Sequence, residues 1–143
     1  MLTRVVFALL VVVFAGTQVL AEDGEPKTTV VALGLTDHKV AEEELTPGAA
    51  LAAPKFNSPG VAYVLVAHAR AGDTVEVHLT KDGKSLMQNM RELDADEPGL
   101  LLQAGKTGVP AGGWPKGSYT ARVTVTRDGE TIAEQETDAI SLH

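Results

Sequence analysis

A stretch of strict alternation near the C-terminus constrains this chain more than any other feature. Tyr119, Ala121, Val123 and Val125 share one parity, and Thr120, Arg122, Thr124 and Thr126 share the other. A period of two sends the first set to one face of a β-strand and the second set to the opposite face. Asp128-Gly129 follows, a pair that tolerates the positive φ of a tight hairpin turn, and a second run returns through Ile132 and Ile140. The same grammar recurs upstream, where Val75, Val77 and Leu79 alternate with Glu76, His78 and Thr80 ahead of Asp82-Gly83. The first set is expected to face inward and the second outward.

Two further strands are predicted over residues 28–35 and 61–69. The second is apolar on both parities up to His68, which predicts a strand that is central or covered on both faces. Turns are expected at Pro47-Gly48, residues 57–60, residues 70–73 and Glu97-Pro98-Gly99. A short strand is expected over 99–104 and a loop over 105–113. Residues 85–94 carry Leu86, Met90 and Leu93 at helical spacing. An irregular edge element is the preferred reading there, with a short edge strand and a short helix both left open. About seven short strands separated by turns predict an all-β antiparallel sandwich rather than a βαβ fold.

The N-terminus reads as a secretory signal peptide over residues 1–21. Arg4 supplies the positive region, residues 5–14 are apolar, and Val19-Leu20-Ala21 suits signal peptidase. The apolar run falls short of the roughly 20 residues a spanning helix needs. An uncleaved anchor is the alternative. After cleavage, residues 22–27 are expected to form a loose tail and residues 28–143 a single domain, with no membrane insertion. The formal net charge is −7. An acidic surface repels nucleic-acid phosphates and anionic lipid, so neither is an expected partner. There is no Cys and no Asn-x-Ser/Thr sequon. Together these features point to a bacterial periplasmic or secreted protein held together by packing alone.

The segment Trp114-Pro115-Lys116-Gly117-Ser118-Tyr119-Thr120-Ala121-Arg122-Val123 resembles a segment of immunoglobulin-like and fibronectin type III-like domains. Phe56, the apolar run 61–66, the alternating run 75–79 and Asp82-Gly83 extend the likeness over roughly residues 56–141. It implies an immunoglobulin-like sandwich in which Tyr119 forms a tyrosine corner, its ring in the core and its hydroxyl bonded to backbone upstream. Trp114 would be an apolar plug beside it. The strand before Asp82-Gly83 lacks the Trp that such domains usually carry there, so packing between the sheets is expected to differ.

Chemistry-bearing residues are sparse. His68, His78, Met87 and Met90 combine imidazole and thioether ligands suited to Cu(I), which raises a periplasmic copper carrier as an alternative. The competing reading is a solvated His78 and methionines that fill gaps. Asp94-Ala95-Asp96-Glu97 offers hard oxygens but lacks calcium-loop spacing. Asp37-His38, or Asp73 with His68, could orient an imidazole, and Ser58, Ser85 or Ser118 could supply a hydroxyl. No Gly-x-Ser-x-Gly or His-Glu-x-x-His joins them. No catalytic residue and no cofactor are assigned. The expected role is a non-catalytic module that binds another exported protein or an envelope component. Its contact surface is expected in the loop pair 94–99 and 105–117, through Asp94, Asp96, Glu97, Lys106, Trp114 and Lys116. An exposed sheet edge is a second route. Phe56, Tyr63 and Tyr119 are expected in the core.

Overall fold

The structure is a computed structural model that describes residues 26–45 and 51–142. The signal peptide, most of the N-terminal tail, Pro47-Gly48 and His143 lie outside the described residues. Eight strands follow in order: β1 (Thr29–Thr36), β2 (Gly60–Ala69), β3 (Thr74–Lys81), β4 (Lys84–Glu92), β5 (Glu97–Lys106), β6 (Gly117–Arg127), β7 (Glu130–Glu136) and β8 (Ile140–Leu142). A 3-10 turn at Glu42–Glu44 interrupts the long β1–β2 connection. The strands form two antiparallel sheets, β1-β2-β5 and β4-β3-β6-β7, with β8 beside the first residues of β6.

Alternation decides which side chains enter the core. Ala62, Val64 and Val66 pair with Ala104, Leu102 and Leu100 and face the second sheet. That sheet answers with Val75, Val77 and Leu79 from β3 and Tyr119, Ala121, Val123 and Val125 from β6. Both hairpin turns carry the expected chemistry. Asp82 and Gly83 have φ of 52° and 83°, and Asp128 and Gly129 have 53° and 80°. Positive φ at both central residues matches the twist of the flanking strands.

The double-sided apolar pattern of β2 has a specific cause. Its odd residues, Val61, Tyr63 and Leu65, face away from the second sheet, yet Val61 and Leu65 are buried. The loop 37–45 covers that face. The Gln103 side chain of β5 accepts from the Val40 amide at 2.7 Å and donates to the Val40 carbonyl at 2.9 Å, and Val40, within that loop, is buried. Tyr63 lies across Gly34 of β1, where any Cβ would collide with the ring.

Several local expectations change. Residues 84–92 form an edge strand with one bulge, β4, so the edge element is the reading that holds and the helical alternative does not. A register shift between Leu79 and Thr80 leaves Leu86 as the extra residue of a bulge, Met90 projects outward, and Leu93 is buried beyond the end of the strand, so the three do not share a face. Glu97-Pro98-Gly99 is the start of β5 rather than a turn. Pro98 is tolerated because β5 is an edge strand, paired only with β2. β5 also runs on to Lys106, so residues 105 and 106 are strand, not loop. His78 and Thr80 do face outward, but neighbouring side chains bury both. Phe56 is exposed rather than in the core.

Tyr119 is buried and sets its ring edge-on to Trp114, with centroids 6.0 Å apart and planes at 78°. Its hydroxyl donates to the carbonyl of Pro115, four residues upstream. Tyr119→Phe keeps the ring and strands that carbonyl, so it is expected to lower stability by roughly 0.5–1.5 kcal/mol. An unchanged denaturation midpoint would show that the bond contributes nothing.

Candidate functional site

β5 decides how the candidate residues group. It runs from Glu97, beside Ala69, to Lys106, beside Gly60. A strand of that length spans about 30 Å. Asp94, Asp96 and Glu97 therefore sit at one end of the sandwich, and Lys106, Trp114 and Lys116 at the other. The two loops do not make one contact surface.

At the acidic end the carboxylates already have local tasks. Asp96 accepts from the Ala71 amide at 2.9 Å, and Glu97 approaches the Arg91 guanidinium at 3.4 Å. Asp94 is exposed. His68, also exposed, ends β2 with a φ of 58° and borders a shallow cleft with Pro26, Arg70, Asp96 and Pro98. Among the described residues, no group of three or more His, Cys, Asp or Glu side chains is placed to hold a metal ion.

The thioether and imidazole set does not converge. His68 ends a strand of the first sheet, whereas His78 lies mid-strand on the outer face of the second. Met87 pairs with Leu79 and packs on the core, while Met90 pairs with Glu76 and projects to the opposite face. His78 is not the solvated residue expected. It is 9% exposed, with Nδ1 at 2.8 Å from Ser85 Oγ and Nε2 at 3.3 Å from Glu76 Oε1. Both ring nitrogens are thus engaged, which fixes the ring and leaves no lone pair free for a soft metal. The three residues form a hydroxyl–imidazole–carboxylate line, yet they lie on a flat face. β3 is paired on both sides, so its amides are committed to the ladders and none is free to stabilise an oxyanion.

The opposite end is built differently. Trp114 is buried rather than presented as a platform. Its indole N–H donates to the Ser58 carbonyl at 2.7 Å, and its amide donates to the Phe56 carbonyl at 3.0 Å. The 105–117 loop is thereby pinned to the 55–59 turn, which the Ser58 hydroxyl closes by accepting from the Lys55 amide at 2.7 Å. The Phe56 ring lies over Gly113, where a Cβ would stand 2.7 Å from Cε1. Gly113 also has a φ of 85°, so glycine is required twice over. Phe56 and Val109 remain 39% and 50% exposed, and Lys55, Lys106 and Lys116 are exposed around them. This end thus exposes two large apolar side chains and three lysines, with the Asp82 carboxylate beside Gly117 as well, in a chain whose net charge is −7. Lys106 and Lys116 were expected at this loop, whereas Phe56 and Val109 were not. The signal for Phe56 was its position one residue before Asn57-Ser58-Pro59-Gly60, a turn that lifts it from the core.

A titratable clasp holds the covering loop. His38 Nδ1 lies 2.9 Å from Asp37 Oδ1, and Nε2 lies 2.6 Å from Glu44 Oε1. The bonds to Asp37 and then Glu44 raise His38 above its ordinary 6.5. The bond to His38 lowers Asp37 below 3.8. The Ala41 amide and then His38 lower Glu44 below 4.5. The His38 contribution is complete below its unfolded value and is lost as pH rises through its raised folded value. The carboxylate contributions are present above their unfolded values and are lost as pH falls through the depressed ones. Amide exchange protection at residues 40–45, corrected for the intrinsic rate, is therefore expected to fall as pH rises above 6.5 and through the raised value of His38. A flat profile would show that the clasp does not hold the loop.

Among the described residues no helix is long and apolar enough to cross a membrane. In comparisons with known proteins, no family model and no curated protein matches the chain.

Proposed function

We propose that this is an exported, non-catalytic, immunoglobulin-like module of the fibronectin type III kind. Its basic loop end takes an acidic, partly apolar segment of another exported or envelope protein. The observation that carries the reading is the exposure of Phe56 and Val109 at the same end of the sandwich as exposed Lys55, Lys106 and Lys116. Trp114 and its two hydrogen bonds hold that surface in place before any partner arrives, which reduces the ordering cost of binding. Protein contacts combine large apolar side chains with polar and charged ones.

Two features support the immunoglobulin-like assignment. The chain crosses between sheets after β2, β4 and β5, setting β1-β2-β5 against β4-β3-β6-β7. Tyr119, near the start of β6, bonds to the backbone upstream. Export rests on the N-terminal sequence.

The test is an NMR titration with a synthetic peptide alternating Glu with Leu and Phe. Shift changes are expected at residues 55–56 and 106–116, weakening as salt screens the lysines. Lys106→Glu with Lys116→Glu should abolish them. Changes at residues 94–97, or none at all, would contradict the reading.

A further inference from the structure

The bulge in β4 re-aims one side chain. Leu79 pairs with Met87, so an unbroken ladder would pair Thr80 with Leu86 and turn Ser85 toward the core. The register shift pairs Thr80 with Ser85 instead. Ser85 therefore stands on the outer face of the sheet, with Glu76, His78 and Thr80, and its Oγ lies 2.8 Å from His78 Nδ1. Bulges recur beside reactive sites because they redirect side chains in this way.

The other contacts set the direction of that bond. The Glu76 carboxylate only accepts, so His78 Nε2, 3.3 Å away, carries the ring hydrogen. Nδ1 then keeps its lone pair, and the Ser85 hydroxyl donates to it. A hydroxyl donating to an imidazole that a carboxylate orients is the arrangement that activates a nucleophile. His78 is buried and held at both nitrogens, whereas Ser85 is exposed to an incoming reagent. The other serines differ. Ser58 donates to carbonyls of its own turn, and Ser118 and Ser141 have no imidazole partner among the described residues. Nothing nearby would hold an oxyanion. The β3 amides are committed to the ladders, and because Thr120 donates to Glu136 at 2.7 Å, Thr80 donates to Thr120. A nucleophile with a base but no oxyanion donor suits a single transfer from a reactive donor rather than turnover.

We propose that Ser85 is an acyl-acceptor site, modified once by an activated ester or thioester with His78 as the base. Oγ bonds to the donor's carbonyl carbon, and the bond from that carbon to the leaving oxygen or sulfur breaks. The hydroxyl proton passes to His78 Nδ1 and then to the leaving group. Glu76 holds the Nε2 hydrogen throughout and gains no proton. The product is a Ser85 ester two residues beyond the Asp82-Gly83 turn, and its formation stands independently of the partner reading.

Reaction of the folded protein with p-nitrophenyl acetate near neutral pH, followed by peptide mapping, tests this. Alkaline hydroxylamine removes acetyl esters and leaves the acetyl amides formed on lysines, which separates the two products. Acetyl is expected on Ser85 ahead of Ser58, Ser118 and Ser141. His78→Gln is expected to slow acetylation of Ser85 at least about tenfold, and Glu76→Gln to slow it by less, with lysine rates unchanged. His78 is buried, so a measurement without substitution accompanies the variants: in urea, the wild-type Ser85 should react no faster than the other serines. A Ser85 that stays unlabelled in the folded protein, that reacts no faster than Ser118, or that keeps its rate in His78→Gln or in urea would overturn the proposal.

Discussion

Trp114→Ala is expected to cost about 3–5 kcal/mol, the usual range for removing a buried large aromatic residue. The site cannot collapse easily. Trp114 is 2% exposed, its ring edge meets Tyr119, and Gly60 lies so close that a Cβ there would come within 2.7 Å of the indole. The substitution also strands the Ser58 carbonyl, whose indole partner is lost. Trp114→Phe keeps most of the ring and should cost less. Urea denaturation separates the two. The functional consequence is distinct, because Trp114 bonds the two segments of the loop end together. In Trp114→Phe the peptide contact at Phe56 and Val109 should weaken more than stability does. A loss of under about 1 kcal/mol for Trp114→Ala would show that the plug is not part of the core.

The second large effect comes from the far end of the sandwich. Arg127 follows Val125 on the core-facing parity and reaches Asp73 with two bonds, Nε to Oδ1 at 2.7 Å and Nη2 to Oδ2 at 2.8 Å. Asp73 is fully buried and also accepts from the Arg70 amide at 2.9 Å. The same guanidinium donates to Thr28 at 2.9 Å, and the Leu93 amide donates to the Asp73 carbonyl at 2.8 Å. The pair therefore joins four segments of chain that are distant in sequence. Arg127→Met removes both side-chain bonds to the buried carboxylate and leaves it the Arg70 amide as a donor, with the Arg70 charge nearby. Breaking such a pair costs about 3–5 kcal/mol, toward the lower end here because water reaches the guanidinium. Asp73→Leu combined with Arg127→Met removes both charges and should recover much of the loss.

Acid titration carries the same signature. Burial pushes the Asp73 carboxyl up, but the Arg127 bonds, the Arg70 amide and the guanidinium charge outweigh it and hold it below 3.8. The stability this gives is present above the unfolded pKa and is lost as pH falls through the depressed folded value. Arg127→Met should flatten that acid limb. An unchanged acid limb would mean that Asp73 is not the group responsible.

What could be read in the sequence followed from local repetition. The β6–β7 hairpin and β3 were legible because alternation and an Asp-Gly pair specify strand, face and turn within a few residues. The two-sided apolar character of β2 was legible as burial, but its cause was not. That cause is Gln103 gripping Val40, a contact across 63 residues. β4 was legible as an edge element, but strand and helix could not be separated there, because Leu86, Met90 and Leu93 also fit a helical period. The start of β5 was misread because Pro98 punctuates most strands but is permitted at an edge. The site was half legible. Lys106 and Lys116 could be placed in a loop, but the strand between the two candidate loops was read as too short, so opposite ends of the molecule were joined into one surface. Asp73 and Arg127 drew no attention as a pair, since nothing local connects residues 54 positions apart.

Site-specific photocrosslinking in the cells that make the protein puts the partner surface to its most direct test. A photoreactive residue replaces Val109 at the basic loop end, and in a second variant it replaces Glu134 on the outer face of the second sheet. One discrete protein adduct is expected from position 109, lost on Lys106→Glu with Lys116→Glu, and none from position 134. No adduct at 109, or the same adduct from both positions, would contradict the claim that this end is the partner surface.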